Sequence, residues 1–283
     1  MAAIKEVRRR IKAVRGIQQV TKAMKMVATV KMRRVQDRVV QARPYVDTLY
    51  EMAGRLAAAG EGEMHPLLSA RPEGSGPEGI VIVGSDRGLC GAFNINLARH
   101  VMSQVQGTQP KLVLMGRKVK DIFRRQSFEV IRDYERLVFP MTWEEAERVA
   151  RDLLSLYNFA GLSRIRLAYQ RFVSPGVNRV TLAPWLPFKA PESAGKAAEI
   201  RCEPSVAAVL DSVLPRALTG QLYRALLESQ ASEQGARMVA MDNATTNAGE
   251  LSGDLTLLAN KLRQGGITKE LLEITTGAEA LRN

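Results

Sequence analysis

The 283-residue chain is short of the residue types that most enzyme sites are built from. It has two histidines, His65 and His100, which leaves histidine-based catalysis or metal binding almost no material. Its two cysteines, Cys90 and Cys202, lie far apart, with no CxxC partner and no nearby histidine. That excludes a zinc site of ordinary spacing and a disulfide framework, and reads as two reduced thiols. Aromatics make up 5%, too few for a large aromatic-rich core. No apolar run approaches the roughly 20 residues that span a bilayer. The N-terminus also lacks the uninterrupted apolar stretch of a signal peptide. The most local shortage is of acid. Between Met1 and Arg43 stand 13 Lys or Arg residues and only two carboxylates, Glu6 and Asp37.

The charge that remains is placed, not spread. The chain carries a formal net charge of +12, and all but one unit of it falls in that first segment. Basicity this local belongs to one surface. The same segment has helical periodicity. Ile4, Val7, Ile11 and Val14 follow a heptad register, and Ala28, Met32, Val35, Val39 and Ala42 resume it. Between them the register positions are polar: Gln18, Thr21 and Lys25. There the apolar stripe is expected to drift to Ile17, Val20, Met24 and Val27, as in a helix of 3.6 residues per turn. The pattern predicts one long helix over about residues 3–58, running across Pro44.

The stretch GEGEMHPLLSARPEGSGPEG then reads as a linker over 59–76. Beyond it GIVIVG, KLVLMG, FEVIRD, RIRLAYQRFVS and NRVTLAPWLP read as strands, interleaved with helical stretches. One of these, TWEEAERVARDLLSLYNFAG, opens on a capping box of Thr142 and Glu145. Alternation of this kind predicts a layered α/β domain with a mainly parallel sheet over 77–190. A second linker over 191–204 follows. From 205 to 283 the chain is helical again, with Leu251, Leu255, Leu258 and Leu262 as its expected seam. Small residues upstream (Ala231, Ser232, Gly235, Ala236, Ala240, Ala244, Ala248) would let a partner helix approach closely. Helices of such length need a partner. The fold class expected is therefore α/β, with a long antiparallel coiled coil of the terminal helices and an inserted Rossmann-like α/β domain. The C-terminal helix is the longer, so part of it must project beyond its partner.

Two motifs could carry chemistry. VGSDRGLCGAFN lies between a strand and a helix, and its Gly84, Gly88 and Gly91 invite a phosphate-loop reading. The spacing matches neither GxGxxG nor GxxxxGK[ST], and turn chemistry accounts for the glycines. Ser85 beside Asp86, or Ser232 beside Glu233, lacks a base to complete a nucleophilic set, and capping or exposed polarity explains them better. No catalytic residue, cofactor or metal is expected. The basic helix admits three uses. A nucleic-acid footprint lacks aromatics before Tyr45 to stack on bases. A transit peptide would be rich in serine, and this segment has none and continues unbroken into the long helix. The third use is a face that meets acidic loops of a partner protein.

Four stretches together resemble one family. The tail NKLRQGGITKELLEITTGAEAL is similar to the C-terminal signature of the gamma subunit of F-type ATP synthases. Ile267, Thr268, Glu270, Glu273, Gly277, Ala278 and Ala280 fall on its I-T-x-E-x-x-[DE]-x-x-x-G-A-x-A pattern. QQVTKAMKMVATVKMRR resembles the family's N-terminal helix, SDRGLCGAFNINL its central-domain loop, and ASEQGARMVAMDNATTNAGEL its second long helix. The resemblance implies a non-catalytic rotor turning inside a ring of three α and three β subunits, seated with an epsilon subunit on a membrane c-ring. It implies that Arg263, Gln264 and Thr268 hydrogen-bond a catch loop on β, and that Met24 and Lys25 meet an acidic lever segment of β. Arg8, Arg9, Lys31, Arg33, Arg34 and Arg87 join that ionic track by charge alone. Ile274, Ala278 and Leu281 would fill an apolar bearing. A bacterial complex, with the chain on the cytoplasmic membrane face, is expected from the absence of a leader before the family motif. The competing reading is a basic coiled-coil scaffold that binds nucleic acid or an acidic membrane surface.

Overall fold

A computed structural model describes residues 2–59, 65–72, 75–190 and 202–280, the side chains of residues 2, 3, 279 and 280 excepted. The elements in chain order are α1 (Ala2–Ala59), β1 (Glu78–Val83), α2 (Phe93–Gln104), β2 (Lys111–Met115), α3 (Arg117–Phe123), β3 (Val130–Tyr134), α4 (Trp143–Phe159), β4 (Arg164–Ser174), β5 (Val177–Leu186) and α5 (Val206–Ala280). They fall into two compact units: residues 28–237, and residues 1–27 with 238–283.

In the larger unit the five strands form one sheet in the order β3-β2-β1-β4-β5. β1 runs parallel to β2 and β4, and β2 parallel to β3, so the sheet is mainly parallel as the alternation predicts. β4 and β5 form the one antiparallel pair. β1 is buried along nearly its whole length, as a parallel strand covered on both faces must be. Its alternate residues part to two cores. Ile80 and Ile82 meet Leu97, Val101, Val119 and Phe123 of α2 and α3. Val81 and Val83 belong with α4, the 35–56 stretch of α1 and the 210–231 stretch of α5. The result is three layers, with the long helices forming part of one.

Local chemistry explains several joints. Thr142 caps α4 by accepting the Glu145 backbone N–H, which is one half of the expected capping box, while the Glu145 carboxylate accepts from Arg148 instead. Scarce as aromatics are, three of them converge: Trp143 packs edge-on against Tyr45 at 5.4 Å and against Tyr223 at 5.6 Å. They tie α1, the start of α4 and α5 together. Trp185 is buried, and its indole N–H donates to the Leu218 carbonyl of α5 at 3.0 Å. Gly84, where the sequence asks only for a turn, is required by packing, because a Cβ there would collide with Val119 of α3. Both long helices carry a proline inside them, Pro44 and Pro215.

The smaller unit is an antiparallel pair of helices from the two chain termini. Lys25 meets Asp242 at 2.6 Å, the Thr245 hydroxyl donates to that of Thr21 at 2.8 Å, and Arg15 reaches the Ser252 hydroxyl at 3.3 Å. These contacts fix the register, and they correct the expected drift. Thr21 is buried, whereas Ile17, Val20 and Val27 are each more than half exposed. The seam keeps its heptad positions through the polar stretch because the partner helix supplies matching hydroxyls and a carboxylate there, and mutual supercoiling holds a 3.5-residue repeat. The seam on α5 also differs from the leucine series. Met241, Ala248 and Ser252 are buried and Leu255 and Leu262 half-buried, but Leu251 and Leu258 face outward.

Candidate protein-docking surface

The cations of α1 differ in their surroundings. Arg8 and Arg9 are exposed, and neighbouring Arg10 pairs with Glu6 at 2.6 Å. Met24 and Lys25 are half-buried, and Lys25 spends its charge on Asp242. In the larger unit Lys31 lies over the Phe139 ring at 5.1 Å from its centre, a cation–π contact. Arg33 and Arg34 are exposed. Arg87 is exposed on the turn after β1. Charge counting could not separate cations that point outward from those already engaged within the chain. The outward apolar residues on α1 were also missed by the seam argument. Ile17, Val20, Met26 and Val27 in the smaller unit stand exposed among the lysines and arginines. Buried apolar positions are the rule for a helix pair, so such a face is surface left for something else to cover.

At the other end of the pair the register sets Arg263 and Gln264 opposite the first described turns of α1. Both are exposed. Every described residue from Ile267 to Ala278 is exposed as well, Thr268, Ile274 and Ala278 among them. The Thr268 hydroxyl bonds back to the Gln264 carbonyl at 3.0 Å, which links two of the three catch-loop candidates on one helix face. Ile274 is 68% exposed, an apolar side chain open to solvent. Leu281 lies outside the described residues. Thus α5 carries its last turns, polar first and then apolar, past the start of α1.

The crevice where an α/β sheet of this type ordinarily receives a ligand, beyond the carboxyl ends of β1 and β4, is occupied by α5 itself. Ser229 donates to the Val83 carbonyl at 3.1 Å, and Ser232 to the Gln170 carbonyl at 2.9 Å. Ser85 is buried and donates to the Arg87 carbonyl at 2.9 Å. Neither Ser85 nor Ser232 is the exposed or capping polarity that its sequence context leads one to expect, since both are buried. Both hydroxyls are committed to main-chain carbonyls. Asp86 accepts from the Arg117 and Arg136 backbone N–H groups at 3.2 Å each, which ties together the loops after β1, β2 and β3. Arg237, 7% exposed, donates to the Arg87 and Gly88 carbonyls at 3.2 Å and to Glu233 at 2.7 Å. Burial pushes the Glu233 carboxyl above its usual range, against the pull of the Arg237 guanidinium. It also pushes the Cys90 thiol up, away from the thiolate that reacts. Among the described residues no three His, Cys, Asp or Glu side chains cluster to hold a metal, and no helix is long and apolar enough to cross a membrane.

A family model described as ATP synthase matches residues 3–281. A protein of Desulforamulus reducens called ATP synthase gamma chain is 42% identical over 284 residues, covering 99% of this chain and all of that one. The chain belongs to the ATP synthase gamma chain family. Another gamma chain, from Heliobacterium modesticaldum, is 40% identical over 292 residues at 99% and 100% coverage. Among solved structures, a chain of the Euglena gracilis mitochondrial ATP synthase, from a structure of OSCP, F1 and c-ring, superposes with a TM-score of 0.72 at 19% identity, covering 99% of this chain and 95% of that one. A chain of the Tetrahymena thermophila mitochondrial ATP synthase central stalk and c-ring gives 0.62 at 24% identity, over 80% and 99%. These structures bear on the fold. A gamma chain is the stalk subunit, not the catalytic one, and the nucleic-acid or membrane-surface scaffold finds no support in these likenesses.

Proposed function

We propose that this chain is the central-stalk rotor of an F-type ATP synthase, which couples ion-driven rotation of a c-ring to conformational cycling of the catalytic β subunits. The observation that carries the reading is identity of about 40% to gamma chains over the full length of both. The partners are the α and β subunits of the catalytic ring, an epsilon subunit and the c-ring. The bacterial origin of the gamma chains of Heliobacterium modesticaldum and Desulforamulus reducens supports a place on the cytoplasmic face of a cell membrane, held there through the complex.

Mechanically, a rotor works through contacts that differ among otherwise identical neighbours. Each β subunit meets a different face of the helix pair, and each contact favours one of its open and closed states. In the helix pair the exposed cations Arg8 and Arg9, with the engaged Lys25 and with Met24 beside it, and in the larger unit the exposed Arg33, Arg34 and Arg87, with the engaged Lys31, each provide positive charge complementary to acidic segments of β. Arg263, Gln264 and Thr268 provide hydrogen bonds to a loop of β. Ile274 and Ala278 provide an apolar tip that turns in a bearing, to which Leu281, outside the described residues, adds by sequence alone. Exposed long-range charge contacts suit a moving surface because they are weak individually and screened by salt. Reconstitution with α and β subunits of the same source tests the reading. The expected product is a complex with one copy of this chain per three α and three β, and with ATP hydrolysis above that of α and β alone. A chain that forms no such complex but binds DNA at physiological salt would overturn it.

A further inference from the structure

The turn between β1 and α2 is fixed far more firmly than a surface turn needs to be. On its inner side the Ser85 backbone N–H donates to Asn94 Oδ1 at 3.0 Å, and Asn94 Nδ2 donates to the Ser85 hydroxyl at 2.7 Å. Asp86 binds it to the two neighbouring loops. On its outer side the Arg237 guanidinium grips two successive carbonyls, those of Arg87 and Gly88, with Nη2 at 3.2 Å from each and Nε at 3.4 Å from the second. Glu233, one helical turn earlier on α5, aims that guanidinium at 2.7 Å. The two side chains are 9% and 14% exposed. What the turn displays is the opposite in character. Arg87 is exposed, and Leu89 is 62% exposed in a left-handed backbone conformation, with φ at 62°. A leucine rarely adopts that conformation unless its surroundings impose it.

A buried ion pair is a poor source of stability, since desolvation offsets most of the attraction and an apolar pair would fill the space as well. What a fork-shaped cation does better than any apolar group is to fix the direction of the carbonyls it grips. We propose that Arg237, oriented by Glu233, is a positioning residue that sets the Ser85–Cys90 turn so that Arg87 and Leu89 meet the surrounding ring as one rigid contact. The partner segment that fits presents a carboxylate beside an apolar side chain. Movement of α5 is thereby passed directly to the turn. This rests on the rotor reading above.

A double-mutant cycle in the complex of this chain with α and β subunits tests it, read as ATP hydrolysis per assembled complex. Arg87→Ala and Arg237→Gln are each expected to lower the rate, and the double variant to be no slower than the slower single one, a coupling of about fivefold. Arg237→Lys keeps the charge facing Glu233 but cannot span both carbonyls, and should recover only part of the rate. It replaces Arg237→Gln in the cycle if the latter does not assemble. Losses that multiply, an effect of Arg237→Gln where Arg87→Ala has none, or no effect of either, would overturn the proposal and leave the rotor reading intact. Failure of the unaltered chain to form the complex would overturn both.

Discussion

The helix pair of residues 1–27 and 238–283 and the body of residues 28–237 draw on the same two long helices and use them in opposite ways. In the body, α1 buries Val35, Leu49 and Leu56, and α5 buries Leu214, Leu218 and Leu222. In the pair, the buried positions are Thr21, Met241, Ala248 and Ser252, and the bulky apolar residues Ile17, Val20, Val27, Leu251 and Leu258 face out. The body is therefore held by burial of apolar surface, roughly 1.5–3 kcal/mol for each large side chain. Among its described residues the pair is held by small residues, two hydroxyl contacts and one ion pair, each of which is worth about 1 kcal/mol or less. A helix whose seam is polar and whose exterior is apolar has its surfaces arranged for company. A docking surface is to be looked for where the buried and exposed residue types have changed places.

Four changes test that contrast. The largest effect is expected in the body. Leu222→Ala should destabilise it by about 2–5 kcal/mol, the range for a buried leucine replaced by alanine, measured by urea unfolding followed through Trp143 and Trp185 fluorescence. In the pair, Thr21→Val with Thr245→Val removes both partners of a hydroxyl contact and keeps the side-chain shape. The change in stability should be under about 1 kcal/mol and can be favourable. A loss above that size would show that the polar seam is a main source of the pair's stability. Asp242→Asn removes the partner of Lys25 from a pair that is 39% and 52% exposed. A few tenths of a kcal/mol is expected, shrinking further at high salt, and thermal melts at two salt concentrations would show it.

The smallest effect concerns pH. Arg148 beside Glu145 holds that carboxyl below its ordinary value of 4.5. Just below pH 4.5 the unfolded chain therefore binds more protons at this group than the folded one. The stability it contributes is complete above that pH and is lost as pH falls through the folded value. Because Arg148 is 57% exposed, the contribution is small, a few tenths of a kcal/mol after screening. Glu145→Gln should flatten the acid limb of a stability–pH curve slightly and leave the neutral region unchanged.

What the sequence shows and what it hides divide along chemical lines. α4 is legible because its cap is local: Thr142 and Glu145 stand three residues apart and find each other in the helix. The parallel sheet is legible because buried strands such as GIVIVG read as short apolar runs. The seam near Thr21 is misread because its partner lies more than 200 residues away, and only Thr245 and Asp242 show why polar residues can sit there. A separation of 150 residues likewise hides Arg237. Nothing near it in sequence says that it grips the turn at Arg87 and Gly88. Lys25 and Lys31 look like free charges until Asp242 and Phe139 are placed beside them. The polar and apolar parts of the C-terminal tail are legible only through the family signature, since an exposed helix end leaves no periodic pattern to read.

The central claim is that this chain turns inside a ring, and rotation can be watched. With Cys202 replaced by serine and a cysteine introduced at exposed Gln106, a bead can be attached to the central domain while the α and β subunits are fixed to glass. On addition of ATP the account predicts sustained rotation in one direction, stopped by removal of the nucleotide. An assembled complex that hydrolyses ATP while the bead shows only random motion would contradict it.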